Sequence, residues 1–507
     1  MPDKILVTNC AALAVKYGED GLREVIAALR ALIVADKDRG ITTELVDLSD
    51  KTRMKAFRCK PVSSLSERQH KDAVDAISKT AQPNYLVLVD GPDVIPHLTL
   101  NNPASRDGDA EVPSDLPYAS DARYTSRDPA KYAAVTRVVG RIPGVTGAAR
   151  PDFLVKQLKA AASYKSKRRS DYLAYFAVSA RPWHGSTVLS IENIFRKNAI
   201  KDCPPTKSPA VRRLLAPLSH FINCHGAEVD PHFYGQKGNS YPIAMSSSDV
   251  TSGVKRDAIV AAECCYGAQL FDPQKARNIL PISNSYLDKG AIAFLGSTTI
   301  AYGGEDNNSA ADLLAQYFLI NILGGASFGR AFLQARQKFV QGQKMEDHVN
   351  LKTLAQFVLL SDPSLQPCRD VGPLAEGDPK FVDAVAARKV RRVALAAAGQ
   401  AAVDCSGFPS KRVARPPRHL HDQVRSLARK RGFRAHKDSV SFFDVAGGVH
   451  YRSEMKARGV KQNVAVIVEH RRTVITAETK KRVRETRIFV AHAQNNRVTQ
   501  VAEYVSR

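Results

Sequence analysis

Two short stretches hold the residue types that nucleophilic catalysis needs. Cys265 ends the run Ala258-Ile-Val-Ala-Ala-Glu263-Cys264-Cys265, and His225 ends Leu218-Ser-His-Phe-Ile-Asn-Cys224-His225. A deprotonated thiol is a strong nucleophile, and an imidazole can take its proton and hand it to a leaving amine. The two residues lie 40 positions apart, enough for one crossover that sets two parallel strands side by side. Side chains leaving the carboxyl ends of such strands meet in one crevice. Gly226 lets the backbone come close, so that its N–H and that of Cys265 can face a developing oxyanion. Each residue alone has a duller role open to it. A histidine at a strand end is commonly a satisfied structural group, and a cysteine after an apolar run commonly acts as a small buried hydrophobe. A second His-Gly pair, His184-Gly185 after Trp183, competes with His225, but Arg181-Pro182 interrupt the apolar strand that should precede it.

The elements that must carry these residues alternate between strand and helix. Ile5-Leu-Val-Thr8 and Tyr85-Leu-Val-Leu-Val89 are continuous apolar runs, the pattern of strands buried on both faces. Between them Leu22, Val25, Ile26, Leu29 and Ile33 outline a helix over residues 21–34. A strand over 136–140 and a helix from Asp152 to Tyr164 follow. The runs 218–224, 258–262 and 291–295 repeat the strand pattern, and helical spacing from Asp312 to Val340 is broken by Gly324-Gly325. The expectation is an α/β fold of two subdomains with mostly parallel sheets, residues 1–165 and 166–369. After Pro367 the texture changes. Residues 370–438 read as a linker with a helix over 384–398. Residues 439–507 read as a smaller basic β-rich domain, with strands at Val464–Val468 and Arg487–Ala493 and an Asn495-Asn496 hairpin turn into Val498–Val505.

A chain of 507 residues exceeds what one core supports, so several domains are expected. Lys and Arg number 74 against 50 Asp and Glu, and 28 against 11 of these fall from Gly377 onward. That surplus fits nucleic acid, an acidic protein partner, or a solvated face. Arg429-Lys-Arg431 and Lys480-Lys-Arg482 are either phosphate contacts or self-cleavage sites. No apolar run approaches the roughly 18 residues of a membrane span, and the first residues lack a signal peptide's apolar middle. Eight cysteines, two of them adjacent, point to a reduced, cytoplasmic setting rather than a disulfide scaffold. Cys and His do not recur at finger-like spacing, so no zinc site is expected.

Phe221-Ile-Asn-Cys-His225-Gly226 resembles the strand-then-His-Gly motif of clan CD cysteine peptidases, and Ala262-Glu263-Cys264-Cys265-Tyr266-Gly267 resembles their Glu/Gln-Ala-Cys-x-Gly motif. In that register Cys265 is the nucleophile, and Cys264 stands where alanine is usual. Further stretches are similar to the gingipain branch: Val89-Asp-Gly-Pro-Asp93-Val-Ile-Pro96, Pro113-Ser-Asp115-Leu-Pro-Tyr118, Val139-Gly-Arg141-Ile-Pro143, Gly290 to Thr298, and Leu359-Leu-Ser-Asp362-Pro-Ser-Leu365. The resemblance spans about residues 5–367. It implies a caspase/gingipain-like fold and an endopeptidase acting on protein or peptide substrates, regulatory or defensive in role. It also implies a basic residue before the scissile bond (P1), read by an acidic side chain in the S1 subsite. Candidates for that subsite are Glu228, Asp230, Asp249, Glu305 and Asp306, with Ser297 and Thr298 in its wall. No cofactor is required. Calcium, which supports some clan members, would find oxygen ligands in Asp107, Asp109, Glu111 and Asp115. The competing expectation is a catalytically silent scaffold whose basic C-terminal domain binds nucleic acid or a regulatory protein.

Overall fold

The computed structural model describes residues 1–371, 384–436, 439–476 and 479–507. Parts of the expected linker, 372–383 and 437–438, lie outside the described residues.

The apolar runs assemble into one ten-stranded sheet. Its order is Thr43–Asp47, Lys4–Thr8, Tyr85–Val89, Val139–Ile142, Phe357–Leu360, Ala293–Ser297, Ile259–Ala262, Ser219–Asn223, Tyr175–Ala180, Lys201–Cys203. The first five strands run parallel to one another, and so do the last five. Phe357–Leu360 and Ala293–Ser297 join the halves antiparallel. The expected two α/β units are therefore two parallel half-sheets fused edge to edge, and their carboxyl ends face opposite rims. Helices cover both faces, so the central strands are dry on each side, as their unbroken apolar sequences require.

Local signals set the helix boundaries. Asn9 caps the helix Cys10–Asp38 by accepting from the Ala12 N–H, and Ser66 caps Glu67–Ala81 by accepting from the Gln69 N–H. Gly18, at φ 72°, kinks the first helix, where a residue with a Cβ would be strained. The helical spacing from residue 312 onward resolves into Ala311–Leu323 and Phe328–Gly342, separated at Gly324-Gly325.

A second sheet is wholly antiparallel: Tyr302–Gly303, Arg497–Ser506, Arg482–Gln494, Gln462–Ile475, Val440–Gly447, Gly407–Arg412. Asn495 and Asn496 both have positive φ, 48° and 63°, which makes the two-residue turn their sequence called for. Helix Arg418–Lys430 lays Leu420, Val424 and Ala428 on one face of this sheet. The other face packs against the large domain, where Val464, Val466, Ile488, Val490 and Tyr504 share one apolar cluster with Cys265, Ile300, Tyr302 and Val349. The helix Ala384–Asp404 precedes the sheet. Among the described residues no helix is long and apolar enough to cross a membrane.

Candidate active site

Ile222 and Ala262 are register partners on adjacent parallel strands. His225 and Cys265 each lie three residues past that pair, so the chain delivers both to the same rim at the same height. The crossover between the strands is itself a small sheet, in which His225–Gly226 pairs antiparallel with His232–Tyr234 and that strand with Ile243–Ser246, followed by the helix Ser247–Gly253. Gly226 lies directly on the Cys265 backbone. A Cβ built there would fall 1.8 Å from the Cys265 carbonyl oxygen, so only glycine fits. Tyr266, next in the chain, holds φ 55°, a left-handed conformation in a non-glycine residue of the kind that clusters at functional sites.

The His225 ring is buried. Its Nε2 lies 2.8 Å from Gln236 Oε1, and Trp183 and Tyr241 pack on it with ring centroids at 4.4 and 5.0 Å. Cys265 Sγ accepts from the Ala301 N–H at 3.3 Å. Burial pushes its thiol up to about 12, so the sulfur is protonated at neutral pH in this arrangement.

The end of the second sheet touches neighbours of both groups, Ala301 beside Cys265 and Trp183 beside His225. Arg497–Ser506 pairs with Tyr302–Gly303 through Tyr302↔Ser506 and Gly303↔Val505, and the Arg507 N–H donates to the Ala301 carbonyl at 2.9 Å. The Arg507 side chain is fully buried. Its Nη2 donates to Asp312 Oδ1 at 2.8 Å and to the Gly304 carbonyl at 2.7 Å, with Ser186 Oγ at 3.4 Å. The guanidinium lies over the Trp183 ring at 4.5 Å, on an indole that also touches His225. Gly303 leaves the room it occupies: a Cβ there would sit 2.0 Å from Nη2. Glu263 is buried beside Asp312. Desolvation and the Asp312 charge raise its carboxyl well above the usual range.

The other sequence candidates fall as follows. Asp230 is buried against His232 Nδ1 and the Tyr234 hydroxyl, both at 2.6 Å. Asp249 caps Ser247–Gly253 in a reciprocal pair with Ser246 and binds Arg212 at 2.7 Å. Burial opposes its ionisation, but these hydrogen bonds win and lower its pKa. Ser297 and Thr298 spend their hydroxyls on the carbonyls of Thr299 and Pro113, both at 2.7 Å. Glu228, Glu305 and Asp306 are exposed. None of these seven contacts the Arg507 guanidinium; Asp312 does, and the sequence marked it only as the start of a helical stretch. His184 is half-exposed and pairs with Asp202, while its neighbour Trp183 enters the site.

Three of the four carboxylates proposed for calcium have basic side chains as partners. Asp107 and Asp109 each bind the Lys352 ammonium at 2.5 Å, and Asp115 binds Arg141 at 2.6 Å and His97 at 2.9 Å. Glu111 is exposed. Among the described residues no group of three His, Cys, Asp or Glu side chains is placed to hold a metal ion.

Comparison with known proteins adds a similarity for one segment. No curated protein matches the chain. Among solved structures, a protease aligns over 99% of this chain and 97% of its own at 12% identity and TM-score 0.46. The complex of Porphyromonas gingivalis RgpB pro- and mature domains aligns over 99% of both at 12% identity and TM-score 0.49. Residues 232–368 match the model of peptidase family C25, a segment that contains Cys265 and begins just after His225. Over that segment the chain is similar to peptidase family C25.

Proposed function

We propose that the chain is an endopeptidase in which Cys265 attacks the peptide carbonyl and His225 moves the proton, with arginine preferred before the cut bond. The observation that carries this is the matched register: both residues stand three positions beyond the pair Ile222↔Ala262, with Gly226 against the Cys265 backbone. A thiol held protonated by burial is a poor nucleophile, so attack must be coupled to proton transfer onto the imidazole rather than start from a standing thiolate. The imidazolium then protonates the departing amine, and water releases the acyl-enzyme. Trp183 and Tyr241 fix the plane of the ring, and Gln236 engages Nε2. The N–H groups of Gly226 and Cys265 are proposed as the oxyanion donors.

Preference for arginine is supported by the slot that Asp312, the Gly304 carbonyl and the Trp183 face build around a guanidinium. The flat guanidinium stacks on the Trp183 ring while its Nη2 donates to Asp312 and the Gly304 carbonyl, and the stacking favours arginine over a lysine ammonium. All eight cysteines are thiols in this structure, which supports a reducing compartment. The test is turnover of fluorogenic peptides carrying Arg, Lys, Asp or Leu at P1, by the native chain and by Cys265→Ala and His225→Ala. Arginyl turnover lost in both variants supports the dyad; equal turnover in Cys265→Ala would remove it.

A further inference from the structure

Residues 505–507 add to the edge of Tyr302–Gly303 and bury one arginine side chain between Asp312 and Trp183. We propose that this segment is a resident pseudo-substrate: it fills the arginine slot in cis, and a substrate chain must displace it before being cut. The proposal rests on the peptidase reading above for what the cleft is, but its binding claim is separate.

Three observations carry it. The first is the mode of attachment. Val505 and Ser506 extend the two-residue strand Tyr302–Gly303, and the Arg507 N–H adds a further hydrogen bond to Ala301. Addition of an extended segment to a free strand edge, with one side chain sunk in a pocket, is a general way of binding peptides. The second is where that side chain ends. The sheet that contributes the segment has its own core around Phe442, Ile467, Phe489 and Ala491, and Arg507 takes no part in it. Burying a guanidinium is costly unless it is paired and hydrogen-bonded. Here Nη2 is paired with Asp312 and the Gly304 carbonyl and the guanidinium stacks on Trp183, all of them in the large domain, while Nε and Nη1 are buried without a hydrogen-bond partner. The third is the reach of the contact into the catalytic groups. Ala301 accepts from Arg507 through its carbonyl and donates to Cys265 Sγ through its N–H. Trp183 carries the guanidinium against one neighbour and the His225 ring against another. A second peptide cannot use this edge or this slot while Arg507 is there.

The same sheet holds the segment in place at other points. Tyr504 Oη donates to Asp347 Oδ2 at 2.6 Å, Tyr241 donates to Glu485 at 3.2 Å, and Lys481 Nζ donates to the Val229 carbonyl at 2.7 Å. The tether is therefore short and the local concentration of the segment high, on the order of millimolar or above.

The test compares the full-length chain with Arg507→Ala and Arg507→Glu on a fluorogenic arginyl peptide. A cis competitor raises the apparent KM without changing kcat, so both variants should show KM lowered about tenfold at unchanged kcat, and added Tyr-Val-Ser-Arg peptide should inhibit the variants competitively far better than the native chain. Equal KM values and equal inhibition overturn the proposal. A binding arm works without catalysis. A fluorescent Val-Ser-Arg peptide should bind Cys265→Ala/Arg507→Ala at least tenfold tighter than Cys265→Ala alone, read by anisotropy. If no chain turns over any peptide but the binding difference holds, the resident segment stands and the peptidase reading falls. If turnover is normal and binding is equal in both backgrounds, the reverse is concluded.

Discussion

The two half-sheets of the large domain are built alike and used differently. In the half formed by residues 1–142, together with Phe357–Leu360, the charged residues of the gingipain-like stretches close on one another. Asp90 and Asp93 bind Lys16 at 2.8 and 2.9 Å, Arg141 clamps Asp115 through two nitrogens, and Lys4 lies between Asp36 and Asp362 with no solvent access. Burial would raise Asp115, but the charges of Arg141 and His97 prevail and hold it well below the ordinary carboxylate range. In the half that carries His225 and Cys265, Asp312 has its guanidinium from the far end of the chain, and the thiol stays neutral. A charged residue at a strand end is thus no sign of chemistry by itself. What separates the halves is whether the partner is fixed by the same domain or supplied by the last strand of the second sheet.

The sharpest way to break this contrast is to remove the sulfur. Cys265→Ala should lower arginyl-peptide hydrolysis by about a thousandfold or more while the denaturation midpoint stays near native, because a small buried side chain replaces another. In the other half the signature should invert. Arg141→Met strands the buried Asp115 charge and two carbonyls, of Asp90 and Ile95, that Arg141 now satisfies. Loss of one partner from such a pair costs about 3–5 kcal/mol, to be read from denaturant unfolding, with activity of the remaining folded fraction unchanged.

A pH window sharpens the comparison next. Asp347 is buried under Tyr504, and burial raises its carboxyl to about 6 despite the hydrogen bond from that hydroxyl. Folding therefore favours its protonated form: its stabilising effect is complete below the unfolded pKa of 3.8 and is lost as pH rises through about 6. Asp347→Asn should flatten the stability curve between those values by up to about 3 kcal/mol. Asp115 acts with the opposite sign, its contribution disappearing only in strong acid. The smallest effect is expected at the slot. Asp312→Asn should cut the preference for arginyl over leucyl peptides about tenfold. An unchanged preference would place the reading of arginine elsewhere.

Much of this was legible in the residues. Continuous apolar runs such as Tyr85–Val89 and Ile259–Ala262 can only be strands covered on both faces, and that forces an α/β arrangement. The two short runs ending in His225-Gly226 and Cys265 announce their own positions at strand tips, because a parallel strand must release its chain at the sheet's rim. Asn495-Asn496 between alternating runs specifies its turn, since both residues tolerate positive φ.

Other features lay out of reach for a physical reason. Asp312 at a helix start looks like any carboxylate near a helix N-terminus, and Arg507 is one basic residue among 74 Lys and Arg. Their 2.8 Å contact joins residues 195 positions apart, and no local pattern encodes such a pair. The acid-rich loop at Asp107 and Asp109 reads as a cation site until Lys352, far along the chain, is brought between them. Local chemistry thus determined which groups can react and which segments are strands. Long-range packing alone decided which charge meets which, because electrostatic pairing depends on distance in space and is blind to separation in sequence.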